Sequence, residues 1–183
     1  MPIRAGIMSD KIYGGFSAME HFEIEKKYTI KRLPEGLEHY PCKQIEQAYL
    51  NTDPVVRIRK SDDSYTLTYK GSGLMVRAEY NLPLNEDAYL HLRTKADGTV
   101  ISKKRYVIPL ENPQFSDNFE PSDELMLNIE LDIFEPPFAP LIIAEVEFPD
   151  EQTANAFVPP IWFDADVTHD PGYHNSSLSE RQF

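Results

Sequence analysis

The feature that most constrains the fold of this chain is a two-residue alternation of apolar and polar side chains, repeated in eight separate segments. Successive side chains of a β-strand point to opposite faces, so this period predicts strands. The predicted strands cover residues 21–30, 44–50, 55–60, 65–70, 75–84, 101–108, 125–134 and 141–148. Most connections between them are too short for a helical crossover, so we expect antiparallel pairing in a barrel or a sandwich.

Helical signals are fewer and lie between or after the strands. Asn85 is a candidate N-cap with acidic residues in the following turn, which predicts a short helix over residues 87–95. Two further short helices are predicted over 150–157 and 176–181, and residues 111–124 are predicted as a loop. The expected fold class is therefore mainly β, of the α+β type, with a few short flanking helices.

The length and hydrophobic content of the chain fit a single domain. The 183 residues are 41% hydrophobic, which is enough for one core and too little for two. We place this domain at residues 19–183 and interpret residues 1–18 as a flexible leader without a fold of its own. No apolar run approaches the about 20 residues of a membrane-spanning helix, so no membrane association is expected.

The charge and the cysteine content narrow the expected partners and location. The formal net charge is −12, which argues against nucleic acid or an anionic membrane as a partner. A local cluster of Arg and Lys could still bind a small anion inside such a protein. Cys42 is the single cysteine, and we interpret it as an inert side chain of a cytoplasmic protein.

The charged faces of the predicted strands are sorted by sign along the chain. The first strand places Glu23, Glu25 and Lys27 on one face. The middle strands contribute cations, namely Arg57, Arg59, Lys70, Arg77, Lys103 and Arg105. The last two long strands contribute acids, namely Glu130, Asp132, Glu145 and Glu147. An antiparallel barrel returns its last strands to its first, which would set an acidic wall against a basic wall.

Two such walls would suit a polyphosphate with its metal ions. Carboxylate oxygens bind hard cations such as Mg²⁺ or Mn²⁺, and Arg and Lys bind phosphate oxygens. An ordinary barrel, however, buries its apolar face and exposes its charged one. Blocks of one sign gain little on a solvated surface, where neighbouring strands usually mix signs. The alternation alone leaves open which face is inside.

One five-residue segment near the start, Glu23-Ile24-Glu25-Lys26-Lys27, resembles the E-x-E-x-K signature of the CYTH superfamily, the triphosphate tunnel metalloenzymes. Later segments resemble the family's other motifs in the same order, at residues 57–59, 66–70, 73–80, 103–106, 130–132, 144–149 and 167–178. The resemblance extends from about residue 21 to about residue 180, and the tail resembles that of the short bacterial members of the family. Two departures are Lys26, where many relatives carry arginine, and His174, which interrupts the usual tail motif.

The resemblance implies an eight-stranded antiparallel barrel that forms an open tunnel with charged side chains pointing inward. It implies that Mg²⁺ or Mn²⁺ is held by five carboxylates, those of Glu23, Glu25, Asp132, Glu145 and Glu147. It implies that phosphate is bound by seven cations, those of Lys27, Arg57, Arg59, Lys70, Arg77, Lys103 and Arg105. Glu130 is a weaker candidate ligand, and Glu79 is expected to orient the cations or hold a water.

The resulting prediction is a metal-dependent hydrolase that splits inorganic triphosphate into diphosphate and phosphate. Lys103, among other cations, would have a lowered pKa and act as a base, and Tyr49 could hydrogen-bond to it. A class IV adenylyl cyclase or a thiamine triphosphatase on the same fold is one alternative. A non-catalytic module that binds polyphosphate or nucleotide is another. The substrate is expected to be a small anion, and the protein a monomer or a homodimer.

Overall fold

The computed structural model describes residues 21–72 and 75–183, so the leader predicted over residues 1–18 lies outside the described residues and stays a prediction. Antiparallel strands dominate this part of the chain. In chain order they are β1 (His21–Ile30), β2 (Cys42–Thr52), β3 (Val55–Ser61), β4 (Ser64–Lys70), β5 (Val76–Leu84), β6 (Asp97–Pro109), β7 (Gln114–Phe115), β8 (Asn128–Phe134), β9 (Ile142–Glu147), β10 (Phe157–Val158) and β11 (Phe163–Asp166).

The helices are short, and their starts are set by capping side chains. They are α1 (Glu86–Arg93), α2 (Glu151–Ala156) and α3 (Asn175–Ser179), with 3₁₀ turns at Leu37–His39 and Pro171–Tyr173. The Asn85 side chain accepts a hydrogen bond from the Ala88 amide at 2.8 Å, which satisfies an otherwise unpaired donor of the first turn of α1. All three predicted helices are confirmed.

Eight of the strands follow one another in a cyclic order of pairing. The order runs β1–β5–β4–β3–β2–β6–β8–β9, every pair is antiparallel, and β9 pairs with β1 again. β11 adds to β1, and β7 pairs with β10 as a separate two-stranded sheet. The eight predicted strands are confirmed. The short strands β7, β10 and β11 were not predicted, because two to four residues are too few for an alternation to stand out.

The apolar faces of the strands point away from the centre of this ring. On β1, β8 and β9 the buried residues Ile24, Tyr28, Leu131 and Val146 belong to one apolar cluster, while their neighbours along each strand are the charged residues. Elsewhere α1 covers the outer face of β2 and β3 through Tyr89. The charged faces therefore lie inside, which decides the question that the alternation left open.

The interior of the ring is itself divided into an apolar end and a charged end. A buried cluster that includes Val55, Ile101, Phe134 and Ile143 occupies the same strand faces as the charged residues, and Leu178 of α3 packs into it. Apolar side chains and α3 therefore occupy the α3 end of the ring interior, where the resemblance implied an open tunnel lined by charged side chains. The charged part of the ring interior opens at the end opposite α3.

Gly98 is required where α3 approaches β6. Its φ is +70°, and a Cβ built there would lie 2.3 Å from the Ser179 carbonyl oxygen. Any other residue would therefore clash with the end of α3 as well as strain the backbone. Among the described residues, no helix is long and apolar enough to cross a membrane.

Candidate active site

A cavity of about 200 Å³ lies inside the charged part of the ring. We call it the central cavity. Eleven of its lining side chains are ionisable and one is a neutral amide; they are Glu23, Glu25, Lys27, Arg57, Arg59, Lys70, Glu79, Arg105, Glu130, Glu145, Glu147 and Asn175. Strand alternation gathers side chains from β1, β3, β4, β5, β6, β8 and β9 here, so most of the predicted site residues meet in one place.

Two further cavities share walls with the central cavity. A vestibule of about 640 Å³ shares Arg57, Arg59 and Glu79 with it and extends toward the β3–β4 hairpin. A small cavity of about 30 Å³ shares Lys27 and Asn175 and extends toward α3. The vestibule and the small cavity lie on opposite sides of the central cavity, with the small cavity next to α3.

The acidic side of the central cavity carries two pairs of directly opposed carboxylates. Glu25 lies opposite Glu147 across β1 and β9, and Glu130 lies opposite Glu145 across β8 and β9. Like charges in register destabilise a sheet unless cations compensate them. Lys27 supplies part of the compensation, because its Nζ lies 2.6 Å from a Glu25 oxygen and 2.5 Å from a Glu145 oxygen. The predicted acidic wall is thus interleaved with cations.

Asp132 lies behind this wall and does not line the central cavity. Its carboxylate is fully buried and bonds the ammonium of Lys103, which is also fully buried, and the guanidinium of Arg105. Burial would raise the pKa of the Asp132 carboxyl, but Arg105 and Lys103 lower it below its usual range. The Nη2 atom of Arg105 lies 2.6 Å from a carboxylate oxygen of Glu145, and Arg105 also forms an ion pair with Glu130.

Lys103 and Tyr49 are not hydrogen-bonded to each other, which corrects the expected pairing. The Tyr49 hydroxyl accepts a hydrogen bond from Gln47 at 3.0 Å, while Lys103 bonds Asp132. The register explains the separation, because Lys103 lies opposite Ile45, four residues from Tyr49 on β2. Burial, aided by Arg105 and Arg59, does lower the pKa of Lys103 to about 8, as expected for a lysine among cations. Tyr49 instead lines the small cavity.

Lys70 is shared by two carboxylates on the opposite side of the central cavity. It pairs with Glu23 and lies 2.7 Å from a Glu79 oxygen. Burial raises the pKa of the Glu23 carboxyl to about 7, with Glu25 adding to the rise and Lys70 opposing it. Burial also favours a raised pKa for the Glu79 carboxyl, but Lys70 and Asn81 outweigh this effect and lower the pKa to about 2. Glu79 therefore keeps the charge, and Glu23 is the one that takes up a proton.

We expect the stability of the metal-free protein to fall by about 1–3 kcal/mol as the pH rises from 5 to 8. The ordinary pKa of a Glu carboxyl is 4.5, whereas the pKa of Glu23 in the folded protein is about 7. Between these two pH values the folded protein keeps the proton on Glu23 and the unfolded chain releases it. Urea unfolding in EDTA at both pH values would measure the change. In Glu23→Gln the fall should largely disappear. An equal fall in the variant would contradict the assignment to Glu23.

Arg57 and Arg59 differ from the other cations of the central cavity in their partners. Neither lies within ion-pair distance of a carboxylate of the described residues. Arg57 donates to the Thr68 hydroxyl at 3.0 Å, and Arg59 donates to the Gln47 amide oxygen at 3.3 Å. Burial and the charges of Arg57 and Arg105 lower the pKa of Arg59 to about 10. These two guanidinium groups are therefore poorly compensated positive charges.

We expect Arg59→Met to raise the midpoint of thermal unfolding by about 2–4 °C, the effect of ~1 kcal/mol in a protein of this size. Removing a partly buried, uncompensated charge relieves repulsion from Arg57 and a desolvation cost. The same variant should bind triphosphate at least about tenfold more weakly, because a phosphate contact is lost. Scanning fluorimetry and calorimetric titration would measure both. Lys104→Met, on the exposed face of β6, should change neither, and a less stable Arg59→Met would contradict the argument.

Among the described residues, no three His, Cys, Asp or Glu side chains are arranged so that together they could hold a metal ion. Glu23, Glu25, Glu145 and Asp132 are instead bonded to lysine or arginine. The donor chemistry nevertheless fits a hard divalent cation, because six carboxylates line one cavity and Glu25 directly opposes Glu147. A cation between that pair would relieve their repulsion once the lysines move to phosphate.

Several hydrogen bonds to the candidate site residues were not predicted from the sequence. Gln47, Thr68 and Asn81 hydrogen-bond Arg59, Arg57 and Glu79 respectively. The alternation did carry a signal for them, since each lies two residues from a predicted site residue on the same strand. Asn175 lies in the tail segment that resembles a family motif, but no role was predicted for it, because only tertiary packing brings α3 to the cavity. Arg77 lies opposite Glu23 in the β1–β5 register, and its side chain is outside the described part of the structure.

Comparisons with known proteins point to one group of enzymes. The chain is 32% identical to an inorganic triphosphatase of Nitrosomonas europaea over 160 residues, which covers 86% of this chain and 96% of that protein. It is 30% identical to an inorganic triphosphatase of Acetivibrio thermocellus over 171 residues, which covers 88% of this chain and 95% of that protein. No protein-family model matches the chain.

The fold is also similar to a solved structure. The crystal structure of the inorganic triphosphatase NE1496 superposes with a TM-score of 0.62 and 29% sequence identity. The match covers 87% of this chain and 95% of the other. Sequence and structure therefore agree on the same group of relatives over nearly their whole length.

Proposed function

This chain belongs to the CYTH superfamily of triphosphate tunnel metalloenzymes, together with the inorganic triphosphatases to which it is similar, and we propose that it hydrolyses inorganic triphosphate to diphosphate and phosphate. The observation that carries the proposal is the central cavity, where Arg57 and Arg59 lack carboxylate partners and face a cluster of carboxylates. A polyanion with its counter-cation would compensate both sets of charges at once.

The cations of the central cavity would hold the phosphate chain. Arg57 and Arg59 are available without breaking an ion pair, so they bind phosphate oxygens first. Lys27 and Lys70 exchange a carboxylate partner for phosphate. Such fixed positive charges in a partly enclosed site stabilise the charge that builds up on the departing diphosphate. The predicted contact from Arg77 remains part of this proposal.

Glu23, Glu25, Glu145 and Glu147 would hold Mg²⁺ or Mn²⁺ in this site. A bound divalent ion would neutralise phosphate charge and polarise the phosphoryl group. We assign Asp132, Lys103 and Arg105 to the support of the acidic side, because Asp132 and Lys103 are fully buried and bond each other. Tyr49 keeps its proton, since burial raises the pKa of its hydroxyl, and it can donate a hydrogen bond into the small cavity.

The direct test is a product assay on the purified protein. Triphosphate, ATP and thiamine triphosphate are each incubated with Mg²⁺ or with Mn²⁺, and phosphate, diphosphate and cyclic AMP are measured. We expect equal amounts of phosphate and diphosphate from triphosphate. Cyclic AMP as the main product would make the protein a cyclase, and tight triphosphate binding without turnover would make it a binding module.

The same proposal includes the partner and the location. The substrate is a small anion rather than nucleic acid, in keeping with a net charge of −12 for the whole chain and a cavity that gathers five cations. The exposed free thiol of Cys42 is compatible with a reducing cytoplasm. We propose a monomer or a homodimer, which size-exclusion chromatography with light scattering would distinguish.

A further inference from the structure

The α3 end of the charged cavity contains a neutral side chain with an unusual environment. Asn175 is the first residue of α3 and lines both the central cavity and the small cavity. Every other described residue that lines the central cavity is ionisable. The side-chain oxygen of Asn175 is buried and accepts no hydrogen bond from a described residue. A buried acceptor without a protein partner is costly unless something else binds it.

α3 holds this amide in a fixed position. Leu178 is fully buried in the apolar inner cluster, and Ser179 lies so close to Gly98 that no side chain fits between them. The Thr52 hydroxyl bonds Glu180 at 2.7 Å just beyond the helix. Asn175 is therefore presented from a packed element, as a group that positions a reactant must be.

The small cavity beside Asn175 has the size and polarity of a water site. Its volume is about 30 Å³, which exceeds the about 10–15 Å³ that one water needs. Glu25, Lys27, Tyr49 and Arg57 also line it, so a water there would find more than the two to four polar partners that it requires. It lies at the α3 end, beyond the central cavity as seen from the vestibule.

We propose that the small cavity holds the attacking water and that Asn175 is a catalytic residue that orients it. The proposal rests on the proposed hydrolysis of triphosphate and deepens it. With the phosphate chain entering from the vestibule, its terminal phosphoryl group comes to rest nearest α3. A water in the small cavity then lies on the side opposite the leaving diphosphate, which is the in-line arrangement that phosphoryl transfer requires.

The step balances with water as the only co-reactant. The water oxygen forms a bond to the terminal phosphorus, and the bond from that phosphorus to the bridging oxygen breaks. Its electron pair stays on the diphosphate. One water proton remains on the attacking oxygen, and the other moves to a non-bridging oxygen of the same phosphoryl group. The products are dihydrogen phosphate and diphosphate.

A neutral amide suits this position better than a charged group. Its oxygen accepts a hydrogen bond from the water, which turns the water's lone pair toward phosphorus. A carboxylate at this position would add to the negative charge of Glu25 in the same cavity and so repel the terminal phosphoryl group. Asn175 would therefore act on the rate of the chemical step more than on substrate binding.

The test compares Asn175→Ala and Asn175→Asp with Ser177→Ala, a change on α3 outside both cavities. In Asn175→Ala we expect kcat to fall by about 100-fold, as for a misplaced reactant, with less than about threefold change in KM. In Asn175→Asp we expect KM to rise as well, because the new charge repels the substrate. Ser177→Ala should match the wild type, and all midpoints of unfolding should agree. Unchanged kcat in Asn175→Ala would overturn the proposal.

A second measurement does not depend on turnover. A crystal structure of the wild-type protein at high resolution should contain an ordered water in the small cavity within hydrogen-bond distance of the Asn175 side chain, and Asn175→Ala should lack it. A dry small cavity would overturn the proposal even in an active enzyme. An ordered water in a protein that does not hydrolyse triphosphate would instead overturn the proposed function and leave the water site supported.

Discussion

Glu25→Gln is expected to reduce the rate of metal-dependent triphosphate hydrolysis by about 10²–10³-fold, the loss typical of removing one electrostatic group from a preorganised site. Glu25 lines the central cavity, directly opposes Glu147 and shares Lys27 with Glu145. Glutamine keeps the size of the side chain but removes the charge that a divalent cation needs. Steady-state phosphate release over a range of Mg²⁺ and Mn²⁺ concentrations would measure the effect.

The stability of this variant should stay within about 1 kcal/mol of the wild type. Lys27 loses one partner but keeps Glu145, and the repulsion between Glu25 and Glu147 disappears. Glu120→Gln makes the same chemical change on an exposed loop residue and should retain full activity. Turnover like that of the wild type in Glu25→Gln would remove Glu25 from the proposed metal ligands.

Unlike Glu25→Gln, Asp132→Asn should destabilise the protein, with a loss of about 3 kcal/mol in the free energy of unfolding. Asp132 and Lys103 are both fully buried, and the substitution leaves the lysine charge without its partner. Since the pKa of Lys103 is already about 8, the lysine can release its proton near neutral pH, which limits the loss. Thermal unfolding should shift down by about 6–12 °C.

Glu130→Gln is the matched control for this second variant. Glu130 lies on the same strand and also pairs with Arg105, but 41% of its side chain is exposed. An exposed pair contributes little, so the control should lose less than about 1 kcal/mol. If Asp132→Asn unfolds like the wild type but needs more metal for activity, Asp132 is a direct ligand, as the family resemblance implied, rather than a support for Lys103 and Arg105.

The strands were predictable because alternation is a local property of the sequence. β1, β3, β4 and β8 lie close to the predicted segments, and the capping residue Asn85 marks the start of α1. The two-residue β7 and β10 carry no period that a sequence could display. The packing of α3 against the interior of the ring was equally unpredictable, because it requires apolar residues from several strands to meet Leu178.

The membership of the site was mostly predictable, but its pairings were not. Glu23, Glu25, Lys27 and Lys70 line one cavity because each follows the inward face of its strand. Which cation meets which carboxylate depends on the register between strands that are often far apart in the chain, and the alternation within a single strand does not specify that register. The expected hydrogen bond between Tyr49 and Lys103 was wrong for this reason. In the pairing of β2 with β6, Lys103 lies opposite Ile45, which is four residues from Tyr49.

The sequence by itself determined that this protein has eight longer strands, that seven of them have a charged face, and that the charges change sign along the chain. Those properties depend only on the order of residues and on the period of a strand. The tertiary structure alone decided that the charged faces point inward, that Lys27 and Arg105 stand among the acids, and that Asn175 reaches the cavity. These outcomes depend on contacts between residues far apart in the chain, such as Lys27 with Glu145, and such contacts exist only once β9 has paired with β1.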